Sequence, residues 1–511
     1  MRHNSYHVVI FTDFTDHVLS VKALGAYKIA HELRKAGFSC LVVDHFSQWT
    51  WQDLSKLLDC VVGSNTLFVG FSTTFFKDTA TTVNINGQIT FTEFNANVSF
   101  CPQGKLFENQ LVQKVKEINA QCKILLGGHK INEHCNNTNV DIVVTGLGEM
   151  SMVRLAADLQ STTQPITNSY KNISRILVVH KNQEKEYDFS QGGMEWQYTD
   201  VIGTRVLPLE SARGCIFNCK FCNFPQRGKK KLDYVLAEEL LFNELDQNYK
   251  KYGINTYQLL DDTFNDSDDK LDLIEGVIRQ LSFQPVFWAY NRLDLLALRP
   301  HRIKKMFDIG VRATSFGIES LNQRTKSLIG KGYDPVKEVE TIKQIRKQYG
   351  NNFLMHGLFI VGLPHESVES VTSTYNKIMS QEIPLHSTYF ESLHIMKPGM
   401  TWLQSEFDKN WHSYGYTEIS KTDTPFLNWK NDHMTFAQAT ELKQTFFQQI
   451  QKSDVLHIPG QTAWSLMNYN FFDLETIQNT KNINLPWNKI TNAKIALFEE
   501  YKNLLFAHLS I

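Results

Sequence analysis

The sequence predicts an α/β protein: a doubly wound parallel sheet, a partial β/α barrel of six steps, and a mainly helical C-terminal region. Three observations predict it. Short apolar runs alternate with amphipathic stretches from the N-terminus to about residue 160, the pattern of βαβ units with helices covering a parallel sheet. The alternation resumes after residue 204 and continues to about residue 395. The 511 residues ask for about three domains at roughly 150 residues each. The expected divisions are 1–160 for the sheet domain, 161–203 for a linker, 204–400 for the barrel and 401–511 for the helical region.

In the first domain, Tyr6 to Phe14 reads as a strand, and Ser20 to Ala36 as a helix with Leu24, Tyr27 and Leu33 on one face. Gly37 stops that helix, and Cys40 to Asp44 is the next strand. A helix through Leu54, Leu57 and Leu58 leads to the strand Leu67 to Phe71. A helix at Leu111 to Ile118 and strands at Ile124 to Leu126 and Ile142 to Val144 complete it. Residues 77–104 break the rhythm, with Asn86-Gly87 between two alternating runs, and read as an inserted β-hairpin. Residues 161–203 are polar and aperiodic apart from Ile176 to His180.

The barrel begins with the strand Arg205 to Glu210. Further strands are expected at Thr256 to Leu260, Val286 to Tyr290, Ala313 to Ile318, Phe353 to Val361 and Thr388 to Ile395. Helices lie between them, among them Val336 to Tyr349. Beyond Lys397, Ala437 to Ile450 and Trp487 to Leu509 read as helices, with Trp402, Trp411, Trp429, Trp464 and Trp487 concentrated there, mostly as core.

Composition narrows the classes. Hydrophobic residues make up 42% and charged residues 21%, which excludes a disordered or fibrous chain. With 52 Lys+Arg against 53 Asp+Glu the net charge is -1, so nothing in the charge favours a nucleic-acid partner. No apolar run reaches the roughly 18 residues of a membrane helix, and no membrane partner is expected. Met1 to Asp16 lacks a signal-peptide layout, so a cytoplasmic location is expected.

Eight cysteines follow. Cys40, Cys60, Cys101, Cys122 and Cys135 stand singly and read as small buried hydrophobes. Cys215, Cys219 and Cys222 share one loop directly after the first barrel strand, with spacing C-x3-C-x2-C. Three thiolates on a tight loop can hold three irons of a cubane cluster and leave the fourth open for chemistry. The competing reading is zinc, which usually wants four ligands. No second cysteine pair exists, and only His129 or His134 from a distance would complete such a set.

The polar residues at the carboxyl ends of barrel strands are the expected catalytic positions. They are Asp261 and Asp262, Asn291 and Arg292, Glu319 and Ser320, and the turn Gly362-Leu363-Pro364-His365-Glu366. At the corresponding ends of the first sheet stand Ser72 and Thr73, Gly127 and Gly128, and Gly146-Leu147-Gly148-Glu149. Small residues there let a backbone approach a bulky ligand.

The loop, with Phe221 at the aromatic position before the third cysteine, resembles the radical S-adenosylmethionine (SAM) enzymes. The resemblance implies that Cys215, Cys219 and Cys222 bind a [4Fe–4S] cluster whose open iron chelates SAM. One electron then splits SAM into methionine and a 5′-deoxyadenosyl radical that abstracts a substrate hydrogen. It further implies Phe221 beside the adenine, Asp261 or Asp262 at the amino group, and Arg292 at the carboxylate. Glu319 and Ser320 would lie near the ribose, and Gly362 and Leu363 would support the adenine. Asp-Asp-Thr-Phe stands where many members have Gly-Gly-Glu, which leaves the amino-group ligand open between the two aspartates.

A doubly wound domain ahead of such a barrel resembles the cobalamin-binding-domain subfamily, over roughly residues 5–400. By that resemblance Ser72, Thr73, Gly127, Gly128, Gly146, Gly148 and Glu149 line a cobalamin site. Asp44-His45 lacks the spacing and glycine of the signature that supplies a lower-axial histidine, so His45 reads as a loop histidine. The implied activity is cobalamin-dependent methylation of an unactivated carbon or phosphorus centre in a small molecule or peptide. An electron donor of the flavodoxin or ferredoxin type is expected. The basic run Arg227 to Lys231 reads as a solvated face, with a docking patch for such an acidic donor or an anion site for substrate as the alternatives. Two other readings stand: radical cyclisation or rearrangement without cobalamin or methyl transfer, and a non-catalytic iron–sulfur or corrinoid sensor.

Overall fold

The computed structural model describes residues 5–13, 22–72, 110–128, 140–161, 171–173, 175–179, 187–223, 229, 232–332, 334–397, 404–421, 426–450 and 487–511; at 47, 145, 171–179 and 487–494 it describes the backbone alone. The expected 77–104 hairpin, Thr73, His129, His134, Cys101, Cys135, Trp402, Trp464 and most of the basic run lie outside these residues. The chain forms two compact units, one of residues 1–188, 194–205 and 486–511, the other of 189–193 and 206–485.

The first unit is a seven-stranded sheet. Its elements are β1 (Val8–Thr12), α1 (Leu24–Lys35), β2 (Cys40–Val43), α2 (Trp51–Val61), β3 (Phe68–Ser72), α3 (Val112–Ile118), β4 (Lys123–Gly127), β5 (Ile142–Thr145), α4 (Glu149–Gln160), β6 (Lys171–Ile173), β7 (Arg175–Val179) and α5 (Tyr198–Val201). The order is β2-β1-β3-β4-β5-β7-β6, parallel except for the β6–β7 pair. Near-continuous burial of β1 through β4 is what a parallel sheet covered on both faces requires. Leu24, Tyr27 and Leu33 of α1 and Leu54, Leu57 and Leu58 of α2 are buried as their spacing predicts. The order reverses between β1 and β3, so the carboxyl ends of those strands flank the crevice where such sheets take ligands.

Two features depart from the expected divisions. The stretch read as linker supplies β6 and β7, which extend the sheet. The C-terminal residues do not form one region: helix Trp487–Leu509 belongs to the first unit, while residues 404–450 belong to the second. Phe498, Tyr501, Leu505 and Leu509 of that last helix join the core of Val9, Phe11, Leu57 and Val69. The backbone N–H of Asp44 donates to the Tyr501 hydroxyl at 3.0 Å, and Lys502 pairs with Asp53 at 3.1 Å.

The second unit carries β8 (Val206–Leu209), α6 (Glu238–Tyr252), β9 (Thr256–Leu259), α7 (Asp268–Ile278), β10 (Val286–Asn291), α8 (Leu293–Leu298), α9 (His301–Ile309), β11 (Val311–Glu319), α10 (Gln323–Ile329), α11 (Pro335–Tyr349), β12 (Leu354–Val361), α12 (Val368–Met379), β13 (Ser387–Ser392), α13 (Glu406–Asn410), β14 (Thr417–Ser420), β15 (Asn428–Lys430) and α14 (Phe436–Ile450). Strands β8 to β13 lie in sequence order in one parallel sheet of six, the six steps that the sequence predicts. Ser267, Asn322, Asp334 and Ser367 cap α7, α10, α11 and α12 by accepting backbone N–H groups of the first turn. Tyr375 stacks on Phe446 and both meet Phe390 edge-on where α12 and α14 cover β13. Trp429 is fully buried and donates its indole N–H to the Leu393 carbonyl at 2.8 Å.

The last helix is a structural part of the first unit. Leu505→Ala, at a fully buried position, is expected to lower that unit's stability by about 2–5 kcal/mol. A shift of the denaturant midpoint followed by amide exchange in β1–β3 measures it; an unchanged midpoint would refute the assignment.

Candidate active site

The cysteine loop leaves β8 through a pinned segment. Both carboxylate oxygens of Asp261, one residue past the Leu260 that follows β9, are engaged. Oδ1 accepts the backbone N–H groups of Ser211 at 2.9 Å and Ala212 at 3.0 Å, and Oδ2 accepts the Ser211 hydroxyl at 2.6 Å. The ammonium of Lys270, fully buried on α7, lies 3.4 Å from Oδ2 and donates to the Thr263 carbonyl at 2.6 Å. Downstream, the Arg213 N–H donates to the Tyr234 carbonyl and the Leu236 N–H to the Ser211 carbonyl. Asp261 therefore holds the entry to the loop. Burial raises its pKa, with Lys270 and Ser211 acting against.

Within the loop, the Cys222 N–H donates to the Cys219 carbonyl, the Lys220 N–H to the Ile329 carbonyl and the Lys229 N–H to the Cys215 carbonyl, each at 3.1 Å. The sulfurs meet donors. The Phe217 N–H reaches Cys215 Sγ at 3.5 Å; the Thr263 hydroxyl, which donates to the Asp262 carbonyl at 2.8 Å, also lies 3.4 Å from that sulfur. Arg292 Nη1 donates to Cys219 Sγ at 3.4 Å. Burial pushes the Cys215 thiol up, and the Thr263 and Phe217 contacts pull it down. N–H groups aimed at sulfur suit thiolates rather than thiols. Among the described residues no three His, Cys, Asp or Glu side chains converge on a single ion. A cubane asks for no such convergence, because each thiolate binds its own iron.

Two buried cations flank the loop's aromatics. The Arg292 guanidinium carbon sits 3.9 Å from the Phe217 ring centre, and Lys331 Nζ lies 6.0 Å from that of Phe221. Lys331 pairs with Glu319 at 3.1 Å and donates to the Gly317 carbonyl at 2.9 Å. Glu319 itself takes a left-handed conformation, φ 64°, strained for a side-chain-bearing residue. Phe221 and Glu319 are thus gathered around one ammonium.

The other expected SAM contacts fall as follows. Asp262 is half-buried, and its carboxylate takes no hydrogen bond from the described residues; burial, then Glu210 and Asp261, push its pKa up to about 7. The fork of Arg292, the part that would clamp a ligand carboxylate, is closed on Asp294 at 3.0 and 2.6 Å. Ser320 donates to Glu366. Gly362 has φ 101°, and a Cβ there would lie 2.3 Å from the Trp429 ring, so only glycine fits; its carbonyl accepts the Tyr416 hydroxyl at 2.7 Å. Leu363 is fully buried. Sequence reasoning missed Lys331, Asp294, Thr263 as a sulfur contact and Phe217. Asp294, two residues from an arginine already singled out, was the readable signal.

In the first unit, Ser72 ends β3, Gly127 ends β4, and Gly128 and Gly146 follow β4 and β5 with positive φ. Gly148 serves packing instead: a Cβ there would lie 2.5 Å from Ile29 of α1. Glu149 opens α4 and is buried. The reading also missed Thr12, which ends β1 beside the crevice. It is fully buried, and its hydroxyl has no hydrogen-bond partner among the described residues. His45 adopts φ 55° and packs its ring 5.3 Å from Tyr501 and 6.2 Å from Phe498.

Residues 209–378 match the Radical SAM superfamily model. Over 286 residues the chain is 27% identical to an uncharacterized methyltransferase from Pyrococcus horikoshii, covering 53% of this chain and 60% of that protein. Over 206 residues it is 27% identical to the cytidylyl-2-hydroxyethylphosphonate methyltransferase of Streptomyces wedmorensis, covering 39% and 36%. The chain thus spans less than two thirds of these curated relatives. The structure of the radical SAM methyltransferase TsrM from Kitasatospora setae, with cobalamin and a [4Fe–4S] cluster bound, superposes with a TM-score of 0.58 at 11% identity, over 98% of this chain and 100% of that one. That likeness shows the fold: a doubly wound domain with a radical SAM barrel.

Glu366 yields a pH prediction. Burial pushes its carboxyl from 4.5 up to about 7, with the Ser320 bond acting against. Between those values the folded state keeps a proton that the unfolded state releases, so Glu366 makes stability fall as pH rises through the interval. Glu366→Gln stays neutral and is expected to flatten that part of the thermal-midpoint profile. An unchanged slope would refute it.

Proposed function

We propose that this chain, whose residues 209–378 are a radical SAM domain, is a radical SAM enzyme that methylates an unactivated carbon or phosphorus centre with the help of cobalamin. The observation that carries the reading is the loop of Cys215, Cys219 and Cys222, with a backbone N–H and a guanidinium N–H aimed at two of its sulfurs. When bound, the [4Fe–4S] cluster supplies the electron that cleaves SAM reductively, and cobalamin supplies a methyl carrier.

The residues divide the remaining tasks. Cys215, Cys219 and Cys222 hold the cluster, and Asp261 with Lys270 keeps their loop in register with β8 and β9. Asp262, whose carboxylate takes no hydrogen bond from the described residues and lies close enough to Glu210 and Asp261 for its pKa to be raised by them, is the acceptor for the amino group of SAM. Phe221, Glu319 and Lys331 line the nucleoside side, where Lys331 sets the direction of the Glu319 carboxylate. Gly362 and Leu363 close the far wall, backed by Trp429. In the first unit the buried Thr12 hydroxyl, which has no hydrogen-bond partner among the described residues, together with Ser72 and the glycines after β4 and β5, supports a polar ligand at the reversal of strand order. The amide side chains of a bound cobalamin would supply a partner for the Thr12 hydroxyl. The substrate class is a small molecule or peptide, and the cluster requires a low-potential reductant such as flavodoxin or ferredoxin.

Anaerobically reconstituted protein is expected to hold about four irons per chain and to form 5′-deoxyadenosine from SAM under reduction. Cys222→Ala is expected to lose both; a variant that retained them would refute the cluster assignment. Thr12→Val is expected to leave the ligand-free protein as stable or about 1 kcal/mol more stable, because it removes a buried unpaired hydroxyl. The same variant is expected to bind cobalamin at least about tenfold more weakly, the loss of roughly 1.4 kcal/mol, read by corrin absorbance after gel filtration. Unchanged cobalamin affinity would remove Thr12 from the site, and no corrin retention by the parent protein would remove cobalamin from the reading.

A further inference from the structure

We propose that Arg292 acts on the iron–sulfur cluster rather than on SAM: its guanidinium, locked by Asp294 and donating to Cys219 Sγ, favours the reduced cluster. The proposal rests on the radical SAM reading above.

Arg292 is held from every side. Its backbone N–H donates to Asn265 Oδ1 and its carbonyl accepts from Asn265 Nδ2, each at 2.9 Å, which fixes the turn between β10 and α8. Its Nε and Nη2 are closed on Asp294. Nη2 also donates to the Gly330 carbonyl at 3.2 Å, and the guanidinium carbon sits 3.9 Å from the ring centre of Phe217, a residue of the cysteine loop itself. The Arg292 side chain is 5% exposed and that of Asp294 8%. Three of its five N–H donors are therefore committed to oxygen acceptors, and the bidentate edge that recognises a carboxylate already holds one. What remains free of Asp294 is Nη1, and it points at Cys219 Sγ, 3.4 Å away.

Reduction of the cluster adds one electron, delivered by a low-potential one-electron donor, to a group already carrying thiolate charge. No bond forms or breaks. A positive charge and an N–H···S bond at a ligating sulfur stabilise the more electron-rich state, as hydrogen bonds to cluster sulfurs do. Burial strengthens this, because little water lies near the guanidinium to screen it. Asp294 offsets part of the charge while supplying the orientation.

The test is the midpoint potential of the reconstituted cluster without SAM, by redox titration followed by electron paramagnetic resonance. Wild-type protein, Arg292→Gln and Arg292→Lys are compared, with SAM affinity measured separately. Arg292→Gln is expected to disfavour cluster reduction at least about tenfold, a shift of about 59 mV to more negative potential for one electron. Arg292→Lys, which keeps the charge but not the fork, is expected to fall between, and it carries the test if the glutamine variant does not take up iron. Loaded variants with the wild-type potential would overturn the proposal, and weakened SAM binding at unchanged potential would return Arg292 to the carboxylate. Wild-type protein that binds no cluster would instead defeat the radical SAM reading itself.

Discussion

The second unit depends on one buried carboxylate. Asp261 is 1% exposed and joins the end of β8 to the end of β9 through two backbone N–H groups and a hydroxyl, with the buried Lys270 beside it. Lys270 in turn lies 3.3 Å from Asp266, which accepts the Tyr234 hydroxyl at 2.7 Å. Removing one member of such a set leaves an uncompensated charge in low dielectric, at a cost of about 3–5 kcal/mol. The set therefore holds together or fails together. Its consequence is geometric: Ser211 and Ala212 are fixed, and only Arg213 and Gly214 separate them from Cys215. Of the two adjacent aspartates, Asp261 is bound into the scaffold, while Asp262 is half-buried and takes no side-chain hydrogen bond from the described residues.

The environment of the thiols follows from that anchoring. Burial alone opposes thiolate formation, as the raised Cys215 shows. The loop answers with two cation–aromatic contacts, Arg292 on Phe217 and Lys331 on Phe221, each cation also paired with an acid, Asp294 or Glu319. The Gly330 carbonyl takes Arg292 and lies 3.7 Å from Cys219 Sγ, so the turn after α10 fastens the cation and the cysteine at one point. The aromatics of the loop are thus the surface on which two buried positive charges are laid beside the three cysteines.

The parts of this arrangement legible in the sequence are those encoded by period and spacing. The six barrel strands, the cysteine loop and the helix over 487–509 all follow from local pattern. What that helix covers does not, because amphipathic spacing says that a face is buried and not against what. Tyr501 meets Asp44 across 457 positions. Likewise β6 and β7 stand in a polar stretch whose few apolar residues suffice only because β5 lies alongside. Arg292 was legible as a polar strand-end residue, but its partner Cys219 lies 73 positions away. Position on a strand end identifies candidates, and only the fold distributes them among scaffold, cluster and ligand.

The same distribution confines the ligand face of the first unit. Asp44, at the end of β2, accepts the Tyr27 hydroxyl at 2.8 Å and lies 3.4 Å from Lys22. Its backbone N–H is taken by Tyr501, and its carbonyl accepts the Trp49 indole N–H at 3.0 Å. His45 is turned onto Tyr501 and Phe498 by its left-handed backbone. That corner is filled by the chain's own last helix. A glycine is also accounted for on the opposite side, since Gly148 is pressed against Ile29. What remains for a large polar ligand is the stretch from the end of β1 to the end of β5. There Thr12 lacks a partner among the described residues, and Gly128 and Gly146 adopt conformations that bring backbone rather than side chain to the surface. For its ring to serve a ligand on this face, His45 would have to leave its contacts with Tyr501 and Phe498.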